Sequence, residues 1–139
     1  PEAAAGEASI RGLHLLLAED NELNAEIAAR LLNDEGATVQ VVRDGQQAID
    51  AFASRPQGTY DAILMDIMMP KIDGYTATRV IRSTNRQDAK AIPIIAMTAH
   101  VFDEDVKQCL EAGMNAHLPK PLQMEKVVST IARLCKRKK

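Results

Sequence analysis

The sequence predicts an α/β domain: a doubly wound, five-stranded parallel sheet with helices on both faces. Three observations carry this. Short apolar runs alternate with segments of helical periodicity along the chain. The runs are apolar at nearly every position, as strands covered on both faces should be. The connections are short, which implies right-handed crossovers between parallel neighbours. The length of 139 residues suits one domain with a sizeable core and is too short to close a barrel of repeated βα units.

The elements follow in order. Pro1 to Gly12 is rich in Ala, Glu and Gly without periodicity and reads as a linker or disordered segment. The chain opens on Pro1 rather than Met, as a piece of a longer protein would. Leu13 to Ala18 is the first strand. Leu23, Ile27, Leu31 and Leu32 mark one face of a helix that Asn21 caps and Gly36 ends. Thr38 to Val42, rich in β-branched residues, is the second strand. Asp44 and Gln47 stand at capping-box spacing before a helix lined by Ala48, Ile49 and Phe52. Tyr60 to Met65 is the third strand. A loop with Pro70 and Gly74 leads to a helix over Thr76 to Arg82, with Ala77, Val80 and Ile81 inward. Ile92 to Met97 is the fourth strand. Asp103 to Ala112 is a helix with Val106, Cys109 and Leu110 inward, closed by Gly113. Ala116 to Leu118 is a short fifth strand. Gln123 to Cys135 is the last helix, and Lys136 to Lys139 a basic tail that suits a helix C-terminus. The domain is expected over residues 13–135.

Composition narrows the function. Apolar residues make up 46%, charged residues 26% and aromatics 3%, an ordinary globular balance. Lys plus Arg number 17 against 19 Asp plus Glu, so no broadly basic nucleic-acid surface is expected. The few aromatics argue against base stacking. No apolar run approaches the ~20 residues that span a bilayer, and no signal peptide is legible. Cys109 and Cys135 fit no metal or redox spacing and read as reduced thiols, which suits a cytoplasmic location.

In open α/β sheets, ligands bind beyond the carboxyl ends of the strands. Five strand ends there carry Glu19-Asp20-Asn21, Arg43-Asp44-Gly45, Asp66-Ile67-Met68, Thr98 and Lys120. Each of these residues alone reads as a cap or a solvated surface group. Their conjunction, each at the end of a different strand, points to chemistry. Clustered Glu19, Asp20 and Asp66 would repel one another unless a divalent cation joined them. All-oxygen ligands suit Mg²⁺ completing its shell with phosphate oxygen. Asp66 is placed as a carboxylate nucleophile toward phosphorus. Lys120 and Thr98 would neutralise and hydrogen-bond the transferring group.

These stretches resemble the receiver domain of two-component response regulators over roughly Leu13 to Leu134. The matching segments are Leu15 to Asn21, Asp61 to Pro70 with Asp73-Gly74, Ile94 to Ala99, and Leu118-Pro119-Lys120-Pro121. The resemblance implies the flavodoxin-like strand order 2-1-3-4-5. It implies Asp66 as phosphoacceptor from a phosphohistidine. It implies Asp20, Asp66 and the Met68 backbone carbonyl as direct Mg²⁺ ligands, with Glu19 reaching the ion through water and Mn²⁺ as a substitute ion. Thr98 and Lys120 would bind phosphoryl oxygens, and a cis Lys120-Pro121 bond would aim the ammonium. Met68 and His100 would tune the lifetime of the aspartyl phosphate. Thr98 would act as the hydroxyl switch. His117 stands where many receivers carry a switch Tyr or Phe, and reads either as a source of pH sensitivity or as packing.

Glu19 to Asn24 and Gly113 to Leu118 are similar to receivers of hybrid sensor histidine kinases. The resemblance therefore implies a histidine kinase or histidine phosphotransfer domain as partner. It implies a parent histidine protein kinase, with this domain catalysing only its own phosphorylation and dephosphorylation. The domain would be cytoplasmic, alone or as part of a membrane-bound sensor, without nucleic-acid or membrane contact of its own. A stand-alone single-domain regulator is the alternative origin. A surface over Asp103 to Glu111, His117 and Lys126 to Arg133 would carry switching contacts, homodimer contacts among them. Rival readings fare worse. A haloacid-dehalogenase-type phosphohydrolase wants a second Asp where Met68 stands, and no glycine pattern suits a P-loop or dinucleotide site. A phosphorylation-independent module would lose part of the acid–lysine set, which is complete here.

Overall fold

The computed structural model describes residues 9–99 and 103–136. Its strands are β1 (His14–Ala18), β2 (Thr38–Val42), β3 (Ala62–Asp66), β4 (Ile94–Thr98) and β5 (Ala116–Pro119). Its helices are α1 (Glu22–Asp34), α2 (Gly45–Ala53), α3 (Gly74–Ser83), α4 (Gln87–Ala91), α5 (Asp103–Ala112) and α6 (Met124–Lys136). The sheet is wholly parallel, as the alternation of elements predicts, and its order is β2-β1-β3-β4-β5, as the resemblance implies.

Strand alternation divides the core into two layers. Leu16, Ala18, Ile63, Met65, Ile94 and Ala96 face a layer built by α2, α3, α4 and α5, with Phe52 and Ile81 at its centre. Leu15, Leu17, Ala62, Leu64, Ile95 and Met97 face α1 and α6, packing on Leu32, Val127 and Ile131. The central strands β3 and β4 are buried at every position, which is why they read as continuous apolar runs.

The helix boundaries follow from caps. Asn21 accepts a hydrogen bond from the Asn24 amide, and Asp44 one from the Gln47 amide. The Gln47 side chain returns one from the Arg43 amide. Asp73 accepts from the Thr76 amide, so α3 begins at Gly74, two residues before the expected Thr76. Gly36, at φ 96°, closes α1. Its amide bonds to the Asn33 carbonyl and that of Ala37 to Leu32, a paired closure that needs a left-handed residue.

Four expectations are corrected. Ile10, assigned to the linker, is fully buried beside Leu15 and Leu32, and the Gly12 amide bonds to the Gly36 carbonyl, so the ordered core begins before residue 13. A short helix, α4, stands where no element was read; its five residues are too few to show a period. Leu23, Ile27 and Leu31 share a face, but it is outward, at 63%, 50% and 38% exposure. Ala25, Ala28 and Leu32 make the buried face. Val80 and Leu110, read as inward, are exposed. Periodicity identifies a helix; it does not say which of two adjoining apolar stripes meets the sheet when small alanines permit a closer approach.

Candidate functional site

At the carboxyl edge of the sheet, β1, β3 and β5 deliver Glu19, Asp66 and Lys120 to one point. The Lys120 ammonium lies 2.8 Å from Glu19 Oε1 and 2.9 Å from Asp66 Oδ2. Both carboxylates are buried, at 3% exposure each. Asn21 donates its amide to the other Glu19 oxygen at 3.1 Å, and Met68 donates its amide to Asp66 Oδ1 at 3.3 Å. Asp20 is exposed at the mouth and brings a carboxylate oxygen into a set with those of Glu19 and Asp66, all within 4.8 Å of one another.

Register explains the convergence. Asp66 ends β3 on the parity of Ala62 and Leu64, toward the α1–α6 layer, whereas Thr98 ends β4 on the parity of Ile94 and Ala96, toward the other layer. Thr98 is buried, and its carbonyl accepts the Lys120 amide at 2.8 Å. The Lys120-Pro121 bond is cis, as the resemblance implies.

The electrostatics are those of one cation shared by two anions. Burial pushes the Asp66 carboxyl up to about 6; Lys120 opposes this and the charge of Glu19 adds to it. Burial would raise Glu19 as well, but the Lys120 hydrogen bond and the Asn21 amide hold it below the usual carboxylate range. Lys120 is raised: its desolvation is outweighed by hydrogen bonds to Glu19 and Asp66. One ammonium thus leaves the three-carboxylate set with an excess of negative charge. That excess, with hard oxygen donors only, fits a divalent cation such as Mg²⁺.

The structure brings together Glu19, Asp20, Asp66 and Lys120 of the expected set, with Met68 on the adjoining loop and Thr98 joined through the Lys120 backbone. His117 stands apart, opposite Ala96 on β5, lining a groove between α5 and α6 with Cys109, Leu110 and Arg133. His100, the basic tail beyond Lys136 and the side chains of residues 103–105 lie outside the described residues. Arg43 was not read from the sequence as part of the site. Its guanidinium holds the Asp20 carbonyl at 3.0 Å, and its place at the end of β2 was the available signal. Beside Lys120 the cleft opens into a cavity of about 390 Å³ walled by Ile27, Leu31, Met97 and Leu122.

Comparison with known proteins agrees with this geometry. Residues 15–132 match the family described as response regulator receiver domain. Histidine kinase 1 of Arabidopsis thaliana is 38% identical over 92% of this chain, and the match spans only 13% of that relative's length. The receiver domain of the sensor histidine kinase PA1611 from Pseudomonas aeruginosa, a structure with magnesium coordinated in its active-site cleft, superposes with a TM-score of 0.80 at 38% identity. That match covers 90% of this chain and 98% of the other. The receiver domain of Ssk1 from Saccharomyces cerevisiae, solved with the histidine phosphotransfer protein Ypd1, gives a TM-score of 0.80 at 25% identity, covering 91% and 90%. The site, the fold and these likenesses agree, and the chain belongs to the response regulator receiver domain family.

Proposed function

We propose that this domain accepts a phosphoryl group on Asp66 from a phosphohistidine, as one station of a phosphorelay within a hybrid histidine kinase. The observation that carries the reading is the buried Asp66 carboxylate, held 2.9 Å from the Lys120 ammonium inside a three-carboxylate cluster. The reaction forms a bond between an Asp66 carboxylate oxygen and phosphorus as the phosphorus–nitrogen bond breaks. The electron pair returns to the imidazole, which takes up a proton. Lys120 follows the transferring oxygens, and the Thr98 hydroxyl donates to another of them. Asp20, Asp66 and the Met68 carbonyl would hold Mg²⁺ directly and Glu19 through water; the bound ion supplies positive charge against the phosphoryl oxygens. Mn²⁺ would serve in its place.

The donor is a histidine kinase or histidine phosphotransfer domain, in keeping with the complex formed by the Ssk1 receiver. Ile27 and Leu31 of the exposed α1 stripe border the cleft, and with Leu23 they offer that donor an apolar footing. Thr98, drawn inward by the phosphate, would bias the α5 and β5 surface that His117 adjoins, the same surface serving a second copy or an output partner. No helix among the described residues is long and apolar enough to cross a membrane; the domain would act on the cytoplasmic side.

The test is intact mass after incubation with acetyl phosphate and Mg²⁺. A gain of one phosphoryl group, absent in Asp66→Asn and absent without Mg²⁺, is the expected result. No gain, together with no binding of beryllofluoride, would overturn the reading.

A further inference from the structure

The loop that follows Asp66 is braced from a distant element. Gly45 is the first residue of α2, and its φ is not in the left-handed region, so its backbone does not call for glycine. Helix propensity favours almost any other residue there. What forbids a side chain is space. A Cβ on Gly45 would stand 2.3 Å from the Ile72 carbonyl oxygen and 2.9 Å from the Ile72 Cβ. The obstruction is backbone, which cannot swing aside as a side-chain tip can. The preceding residue acts on the same loop: buried Asp44 faces the Lys71 ammonium at 3.6 Å, and Lys71 holds φ at 70°. At the other end of the loop, the Gly74 amide bonds to the Ile67 carbonyl at 2.9 Å. Between these ends lies Met68, whose amide bonds to the Asp66 carboxylate.

We propose that Gly45, with Asp44, is a positioning pair for the phosphoacceptor loop: the bare N-terminus of α2 seats Ile72 and thereby sets where Met68 and its carbonyl lie relative to Asp66. The pair touches neither metal nor phosphoryl group and works through Ile72 and Lys71. The proposal rests on the Mg²⁺ reading above, so its test carries one readout that does not need the ion.

The experiment compares wild type, Gly45→Ala, Asp44→Ser and Asp50→Gly. Asp44→Ser keeps a helix-capping oxygen and drops the charge facing Lys71. Asp50→Gly weakens the same helix from its exposed face, away from the loop. Amide NMR spectra of the metal-free proteins report the loop, and Mg²⁺ titration reports affinity. Gly45→Ala is expected to shift the amides of Met68 to Asp73 before any metal is added and to weaken Mg²⁺ about tenfold or more. Asp44→Ser is expected to do the same to a smaller degree. Asp50→Gly is expected to lower thermal stability while leaving loop shifts and Mg²⁺ affinity at wild-type values. Unmoved loop amides in both Gly45→Ala and Asp44→Ser, or Mg²⁺ affinity lost equally in Asp50→Gly, would overturn the proposal. Should Gly45→Ala fail to fold, Asp44→Ser decides alone. Wild type that binds no Mg²⁺ would sink the site reading, and the metal-free loop shifts would still decide this one.

Discussion

Asp66 is the residue at which the proposed function works against stability. Its carboxyl rises from an ordinary 3.8 to about 6, so the folded state binds its proton more tightly than the unfolded chain does. Between those two values stability falls as pH rises, and above pH 6 the full cost is present. In the metal-free protein at pH 8, Asp66→Asn is therefore expected to be more stable than wild type by up to about 3 kcal/mol. The gap closes as pH falls toward 4. Urea unfolding at both pH values measures it, and equal midpoints at pH 8 would refute the strained carboxylate. Glu19 carries the opposite sign, held below its ordinary 4.5. Lys120 is the counterpart. Lys120→Met strands two buried anions and is expected to cost about 3 kcal/mol at pH 7, with Mg²⁺ restoring part of it. Most of this cluster was legible from the sequence because each member ends a predicted strand. Its internal ranking, with Asp66 raised and Glu19 lowered, was not. That depends on which oxygens meet the ammonium.

Among the elements, α3 shows what strand and helix patterns leave out. Arg82, in its last turn, makes five hydrogen bonds: two to the Gly113 carbonyl, one each to the carbonyls of Ala89 and Ile92, and one to the Asn115 side chain. Asn115 in turn accepts the Ile94 amide. One guanidinium thereby fastens α3, α4, the entry to β4 and the turn before β5. Arg82→Ala is expected to cost about 2–4 kcal/mol, because it leaves several partly buried acceptors unsatisfied. Arg82→Lys should recover only part, since an ammonium lacks the planar fork. Chemical denaturation distinguishes the two, and an alanine variant within 0.5 kcal/mol of wild type, the ordinary range for surface changes, would contradict the account. Nothing in the sequence marks Arg82 out from other helical arginines. Its partners lie up to 33 residues away, and all but the Asn115 side chain are backbone atoms, which carry no side-chain signature. By contrast the caps at Asn21 and Asp44 were readable, because a cap and its partner are neighbours in sequence.

At the scale of the molecule, the direction of the strands follows from alternation and short connections, and their order was legible only through the family resemblance. The outward stripe of α1 was not, and it carries the prediction that belongs here. Ile27→Glu should slow phosphoryl transfer from a phosphohistidine protein by tenfold or more, the scale of a ~1.4 kcal/mol loss at a docking contact, while leaving labelling by acetyl phosphate unchanged. Equal slowing with both donors would remove α1 from the docking surface. The division of the core into two layers has one more consequence. Asp66 ends its strand on the side of α1 and α6, and Thr98 ends its strand on the side of α2 to α5. The sheet is thus a wall with a doorway at its carboxyl edge. On the proposed function, a visitor that delivers phosphate would stand on one side, and a listener that responds to Thr98 on the other. The two would not need to leave for each other, so delivery and readout would overlap in time rather than take turns.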